Sequence, residues 1–130
     1  MLLYLLIGLG GALGSMLRFF IDTVVAGQLG AAFPWGTLIV NITGSFLIGF
    51  IYGATQSSHR WFAGPEARLF LMTGICGGYT TFSAFSLRTL TLARGGEWLY
   101  AGANIASSVV LCLLAVWLGC ALGTIVGSPR

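Results

Sequence analysis

The side chains best suited to chemistry lie in one apolar stretch, Thr73-Gly-Ile-Cys-Gly-Gly-Tyr-Thr-Thr-Phe-Ser-Ala-Phe-Ser86. Phe82 and Phe85 stand three residues apart, so on a helix they share a face. A phenyl ring is electropositive at its edge, and such a pair can meet an anion edge-on, or simply pack as aromatics. Gly77-Gly78 weakens a helix by roughly 1 kcal/mol per glycine. In lipid a freed backbone group costs several kcal/mol, and irregular backbone survives only when buried in protein or facing a water-filled cavity. A break near the glycine pair would therefore mark a site, with the Thr80, Thr81 and Ser83 hydroxyls placed to re-satisfy the backbone. The alternative is a straight helix whose small residues allow close packing.

Three further sets of polar residues stand in apolar surroundings. Asn41 brings an amide with two N–H donors into the early middle of a hydrophobic segment, where it needs a partner. Asn104, Ser108 and Cys112 recur at i, i+4 and i+8, on one helical face, with Ser107 beside them. Such a row faces protein or water rather than lipid. Arg18 and Asp22 are i, i+4 neighbours. They read either as an interfacial pair closing a span or as a charged pore mouth to which Arg18 lends positive potential.

The elements that must position these groups are four apolar segments, about 2–25, 35–55, 69–92 and 99–125. Each is near or above the ~20 residues that cross a bilayer, and four spans return both termini to the same side. The 130-residue chain is 57% hydrophobic and 7% charged, far from the ~25% charge of a soluble domain. The N-terminal segment lacks a basic leader and reads as a first span, not a cleaved signal. The six Lys and Arg residues of the whole chain are all arginine and scattered, which gives no nucleic-acid surface. Cys76, Cys112 and Cys120 fall in apolar spans and read as small buried side chains. Gly8 to Gly14 superficially resembles a dinucleotide-binding run, but Leu13 breaks the register; Gly10-x-x-x-Gly14 better fits a packing face. Gly119-x-x-x-Gly123-x-x-x-Gly127 reads the same way. His59, the sole histidine, sits in a polar connection, and with three acids in the chain no nucleophile–base set for an enzyme emerges.

Arg60, Arg68 and Arg130 fall on the N-terminal side and Arg18, Arg88 and Arg94 on the other. This balance gives the positive-inside rule nothing to act on. The chain is expected to insert both ways, and opposite copies could pair antiparallel about a two-fold axis in the membrane plane. A small proton-coupled multidrug exporter is the rival reading. It is expected to carry an acid within a span, and only Asp22 comes close.

These residues resemble the Fluc fluoride-channel family, also called CrcB. Gly77-Gly-Tyr-Thr-Thr-Phe-Ser-Ala-Phe-Ser86 is similar to its third-helix signature, Gly36-Thr-Leu-x-x-Asn41 to its second-helix motif, and Gly14-Ser-x-x-Arg18 to its first. The resemblance spans essentially the whole chain. It implies an all-α membrane protein with four transmembrane helices, the third broken near its middle, assembled as an antiparallel, dual-topology homodimer in the bacterial inner membrane. It implies two pores that pass fluoride out of the cell passively, and a structural Na⁺ at the dimer centre. Gly77 and Thr80 match the positions whose carbonyls hold the Na⁺. Phe82 and Phe85 match the pore phenylalanines, Asn41 the pore asparagine, and Ser108 a hydroxyl of the polar track that Asn104 begins. Cys112 stands where Ser or Thr is usual, and a thiol is a weaker donor. Ala84 replaces a common Thr. Fluoride is small and strongly hydrated, so its path must replace water with donors, here Asn41, Ser108 and hydroxyls such as Thr81 and Ser83.

Overall fold

The computed structural model describes residues 1–56 and 64–128. His59, Arg60 and Arg130 lie outside the described residues. Among those described, every regular element is helical. Helix α1 spans Leu2–Leu29 and α2 spans Trp35–Ala54. The third segment is composite. A single turn, α3 (Pro65–Arg68), leads into a π-helical run, Leu69–Cys76, and then into α4 (Gly77–Tyr79). After two extended residues, α5 covers Phe82–Arg94 and α6 covers Trp98–Gly127. Helices α1, α2 and α6 are each long and apolar enough to cross a membrane. The third segment has no helix of that length, because Thr80 and Thr81 divide it.

Glycine faces set the topology. A Cβ on Gly10 would lie 2.9 Å from the Gly74 Cα, and one on Gly14 would lie 2.7 Å from the Tyr79 nitrogen. Contacts that advance together along both segments mean that α1 and the third segment run parallel. In the same way Gly119 approaches the Phe50 nitrogen (2.9 Å), Gly123 the Ala54 nitrogen (2.8 Å) and Gly127 the Ala54 carbonyl (2.9 Å). Helices α2 and α6 are therefore also parallel. Both glycine rows serve the close packing expected of them, and backbones that approach this closely gain dispersion contact where no hydrophobic drive exists between helices. The hairpin at Gly95–Glu97, with Gly96 at φ 82°, turns α5 back into α6. The resulting order is up, down, up, down, which places the start of α1 and the end of α6 at the same end of the bundle.

The glycine pair does not form the break. Gly77 is helical (φ −64°, ψ −38°), and Gly78 packs its backbone against Gly11, with a would-be Cβ 2.8 Å from the Gly11 Cα. The chain leaves helical conformation at Thr80 (φ −82°, ψ 157°) and Thr81 (φ −152°, ψ 115°). Tight packing against α1 holds Gly78 in a helix that its propensity disfavours, while Gly77, whose would-be Cβ meets nothing on α1, stays helical beside it. The π-helical turns before them belong to a class that recurs at functional sites. Outward, α1 and α6 expose large apolar side chains, including Leu9, Leu13, Phe19, Phe20, Leu113 and Trp117. Polar side chains gather inside: Asn104 is 1% exposed, and Thr37, Thr81 and Ser108 are buried.

Candidate functional site: a polar cavity at the helix break

Asn41 closes the break. Its Nδ2 donates to the Thr81 carbonyl at 3.0 Å, and the Thr81 N–H donates to its Oδ1 at 2.8 Å. One amide thus satisfies both backbone groups of the extended residue, the pairing that a buried backbone demands. Beside it Thr80 Oγ1 donates to the Cys76 carbonyl at 2.9 Å. Thr81 caps α5: its Oγ1 accepts from the Ala84 N–H at 3.2 Å and meets Ser83 Oγ at 3.1 Å. Among the carbonyls that lose their helical donors here are those of Gly77 and Thr80. In an unbroken helix the Thr81 N–H would bond to Gly77 and the Ala84 N–H to Thr80. Both donors are now engaged elsewhere.

A cavity of about 390 Å³ opens at the break. Asn41, Thr80, Thr81, Phe82, Phe85, Ser108 and Cys112 all line it. The Phe82 and Phe85 rings lie 5.3 Å apart at 47°. Phe85 is half-buried, whereas Phe82 is 78% exposed. Among the described residues the cavity lining includes no carboxylate. Helix α5 begins here, so the positive end of its dipole lies at the cavity wall.

The polar row on α6 divides. Ser108 and Cys112 reach the cavity, while Asn104 lies behind it. Asn104 Nδ2 donates to Thr89 Oγ1 at 2.8 Å, and Thr89 Oγ1 donates to the Phe85 carbonyl at 2.8 Å. Ser108 Oγ points to Asn104 Oδ1 at 3.5 Å, a long and weak contact. Asn104 therefore tethers the backbone of Phe85 rather than facing the cavity. Ser83 also stays out of the lining and is exposed. Gly77 is exposed away from the cavity, and Thr80 is half-buried. Arg18 and Asp22 share a second cavity of about 240 Å³ with Phe19, Thr37, Thr81 and Ala84. Thr81 borders both cavities. Cys76 is buried and all three cysteines are free.

Sequence reasoning overlooked several contributors. Ser45 and Cys76 line the large cavity; the i, i+4 spacing of Asn41 and Ser45 was a readable sign. Thr43 bonds the buried Tyr79 hydroxyl at 2.9 Å, and Ser15 donates to the Gly78 carbonyl at 3.3 Å. These pairings between distant segments left no local signal. Among the described residues no group of three or more His, Cys, Asp or Glu side chains is placed to hold a metal ion.

Comparison with known proteins identifies the family. The family model described as "CrcB-like protein, Camphor Resistance (CrcB)" matches residues 5–120. A protein of Methylocella silvestris named fluoride-specific ion channel FluC is 58% identical over 116 residues, covering 89% of this chain and 88% of its own length. One of Opitutus terrae with the same name is 56% identical over 119 residues, covering 92% and 90%. One of Paramagnetospirillum magneticum, likewise named, is 51% identical over 126 residues, covering 97% and 98%. With apolar helices long enough to span a bilayer, a matched family model across nearly its whole length, and relatives of this identity, the chain is a multi-pass membrane protein that belongs to the CrcB-like family.

Proposed function

We propose that the protein is a fluoride-selective channel that lets the anion leave the cytoplasm passively. The observation that carries this reading is the cavity at the break, where an amide, hydroxyls and two phenyl rings converge without a carboxylate. A strongly hydrated anion gives up its water only to compensating donors. Asn41 retains an N–H beyond the one given to Thr81, Thr81 and Ser108 add hydroxyls, and Phe82 and Phe85 offer ring edges. Helix α5 begins at the cavity with its positive dipole end. Fluoride that enters acidified surroundings as HF dissociates inside, and an anion pore then returns it down its electrochemical gradient. The matched relatives named as fluoride-specific channels support the same substrate. The exporter reading gains no support, since Asp22, the nearest candidate for proton coupling, shares its cavity with Arg18.

The working unit in this reading is an antiparallel homodimer in the bacterial inner membrane, with two pores. Phe82, largely exposed on one copy, would be covered by the second. The released carbonyls of Gly77 and Thr80 fit a structural Na⁺. Sodium is a hard cation that takes oxygen ligands, and unwound backbone carbonyls supply them in broken membrane helices. Two symmetry-related copies would double the set and close a cage on the axis. The ion would neutralise the carbonyl ends and hold the two breaks together. Chemistry in the enzymatic sense has no part in this account.

Proteoliposomes loaded in turn with fluoride, chloride or a cationic drug test the proposal. Fluoride should leave rapidly, and the other two should stay at the protein-free leak. Drug transport driven by a proton gradient, without fluoride flux, would overturn it.

A further inference from the structure

The small cavity holds a charge that the fluoride pathway does not call for. Asp22 and Arg18 line it together, joined by Thr37 from α2 and by Thr81, the residue that also borders the large cavity. The two cavities thus meet at a backbone locked by Asn41. Asp22 is half-buried, and its position is fixed by packing. Its Oδ1 lies directly over Gly36 in the first turn of α2, and a Cβ on Gly36 would also come within 2.8 Å of the Asp22 Cα. Among the described residues no other acidic or basic side chain lines this cavity. An anion in it meets Arg18 and the electropositive first turn of α2, both offset by one held carboxylate.

We infer that Asp22 is a brake on anion entry at this mouth: its fixed charge cancels the pull of Arg18 on an anion approaching Thr81. The inference rests on the fluoride-channel reading. A cleft lined by one sign of charge raises the entry rate of its counter-ion by about 10–10³. A cleft whose charges cancel forfeits that gain. Removing the carboxylate alone should restore part of it. Charge acting on entry is screened by salt, with a Debye length of about 10 Å at 0.1 M and about 3 Å at 1 M. A packing role over Gly36 would show no such dependence.

The experiment compares fluoride efflux from proteoliposomes of the wild type, Asp22→Asn and Asp22→Glu at two ionic strengths set with impermeant salts. At low salt Asp22→Asn should run several-fold faster than wild type, roughly 3- to 10-fold. That ratio should fall toward one at high salt, and Asp22→Glu, which keeps the charge, should show no salt-dependent gain over the wild type. A ratio at or below one, or a rise independent of salt, overturns the brake. Asp22→Ser poses the same question if the asparagine variant does not assemble, and failure of both to assemble assigns Asp22 to folding and also overturns it. A wild type that passes no fluoride is a different outcome: it defeats the underlying channel reading.

Discussion

Asn41 concentrates the argument at the level of single residues. Its chemical need for partners was legible in the sequence, because a primary amide in an apolar span must bond to something. Its partner was not: Thr81 lies 40 residues away, and the pairing uses backbone atoms that carry no residue identity. The pair makes a sharp expectation for Asn41→Asp. A carboxylate can accept from the Thr81 N–H but cannot donate to the Thr81 carbonyl. The stranded carbonyl costs about 1–3 kcal/mol, and the new negative charge faces the proposed anion path. Fluoride efflux should therefore fall strongly in proteoliposomes while size exclusion still shows the wild-type assembly. Unchanged efflux would remove Asn41 from the site. Phe82, Phe85 and Ser108 were readable from type and spacing, and all three line the large cavity. Asn104 was readable as polar and buried but not as the tether of Phe85, since Thr89 reaches it only across the α5–α6 hairpin.

Among the elements, α1 covers Leu2–Leu29, α2 Trp35–Ala54 and α6 Trp98–Gly127, against the 2–25, 35–55 and 99–125 read from hydropathy. The interruption of the third segment was misplaced for an instructive reason. Propensity points to Gly77-Gly78 at ~1 kcal/mol per residue, but Gly78 packs closely on Gly11 of α1 and both glycines remain helical. The backbone instead departs where a side chain from α2 offers substitute hydrogen bonds. Glycine faces are where sequence and structure agree most closely, and they give a contrast within one helix. A side chain at Gly123 would overlap the Phe50 carbonyl, whereas a Cβ at Gly102 meets nothing within 4 Å. Gly123→Leu should destabilise by at least about 1–3 kcal/mol through overpacking. It should lower the thermal midpoint in detergent and erode the monodisperse peak, while Gly102→Ala should match or slightly exceed the wild type. Equal stability of the two variants would contradict the parallel α2–α6 interface.

For the molecule as a whole, the proposed antiparallel pair is testable through the chain's charge. Counted along the sequence, three arginines (Arg18, Arg88 and Arg94) are expected on one side and three (Arg60, Arg68 and Arg130) on the other. Such a chain should sit where one added charge decides orientation. A C-terminal reporter should give signal on both sides of the membrane. Lysines added after Arg130 should bias it inward and lysines added between Ala93 and Trp98 outward. Each biased variant alone should lose fluoride efflux, and co-expression of the two should restore it. A single wild-type orientation, with full activity in a biased variant, would contradict the antiparallel dimer.

The central claim is that the cavity at the break carries fluoride past Phe82 and Phe85. Its most direct test is fluoride and chloride efflux measured side by side from proteoliposomes of wild type and Phe82→Ile, each verified as an intact assembly. The account predicts rapid fluoride efflux with chloride at the protein-free leak for the wild type, and fluoride efflux cut toward that leak by Phe82→Ile. Chloride passing as readily as fluoride, or full fluoride efflux through an intact Phe82→Ile assembly, would contradict it.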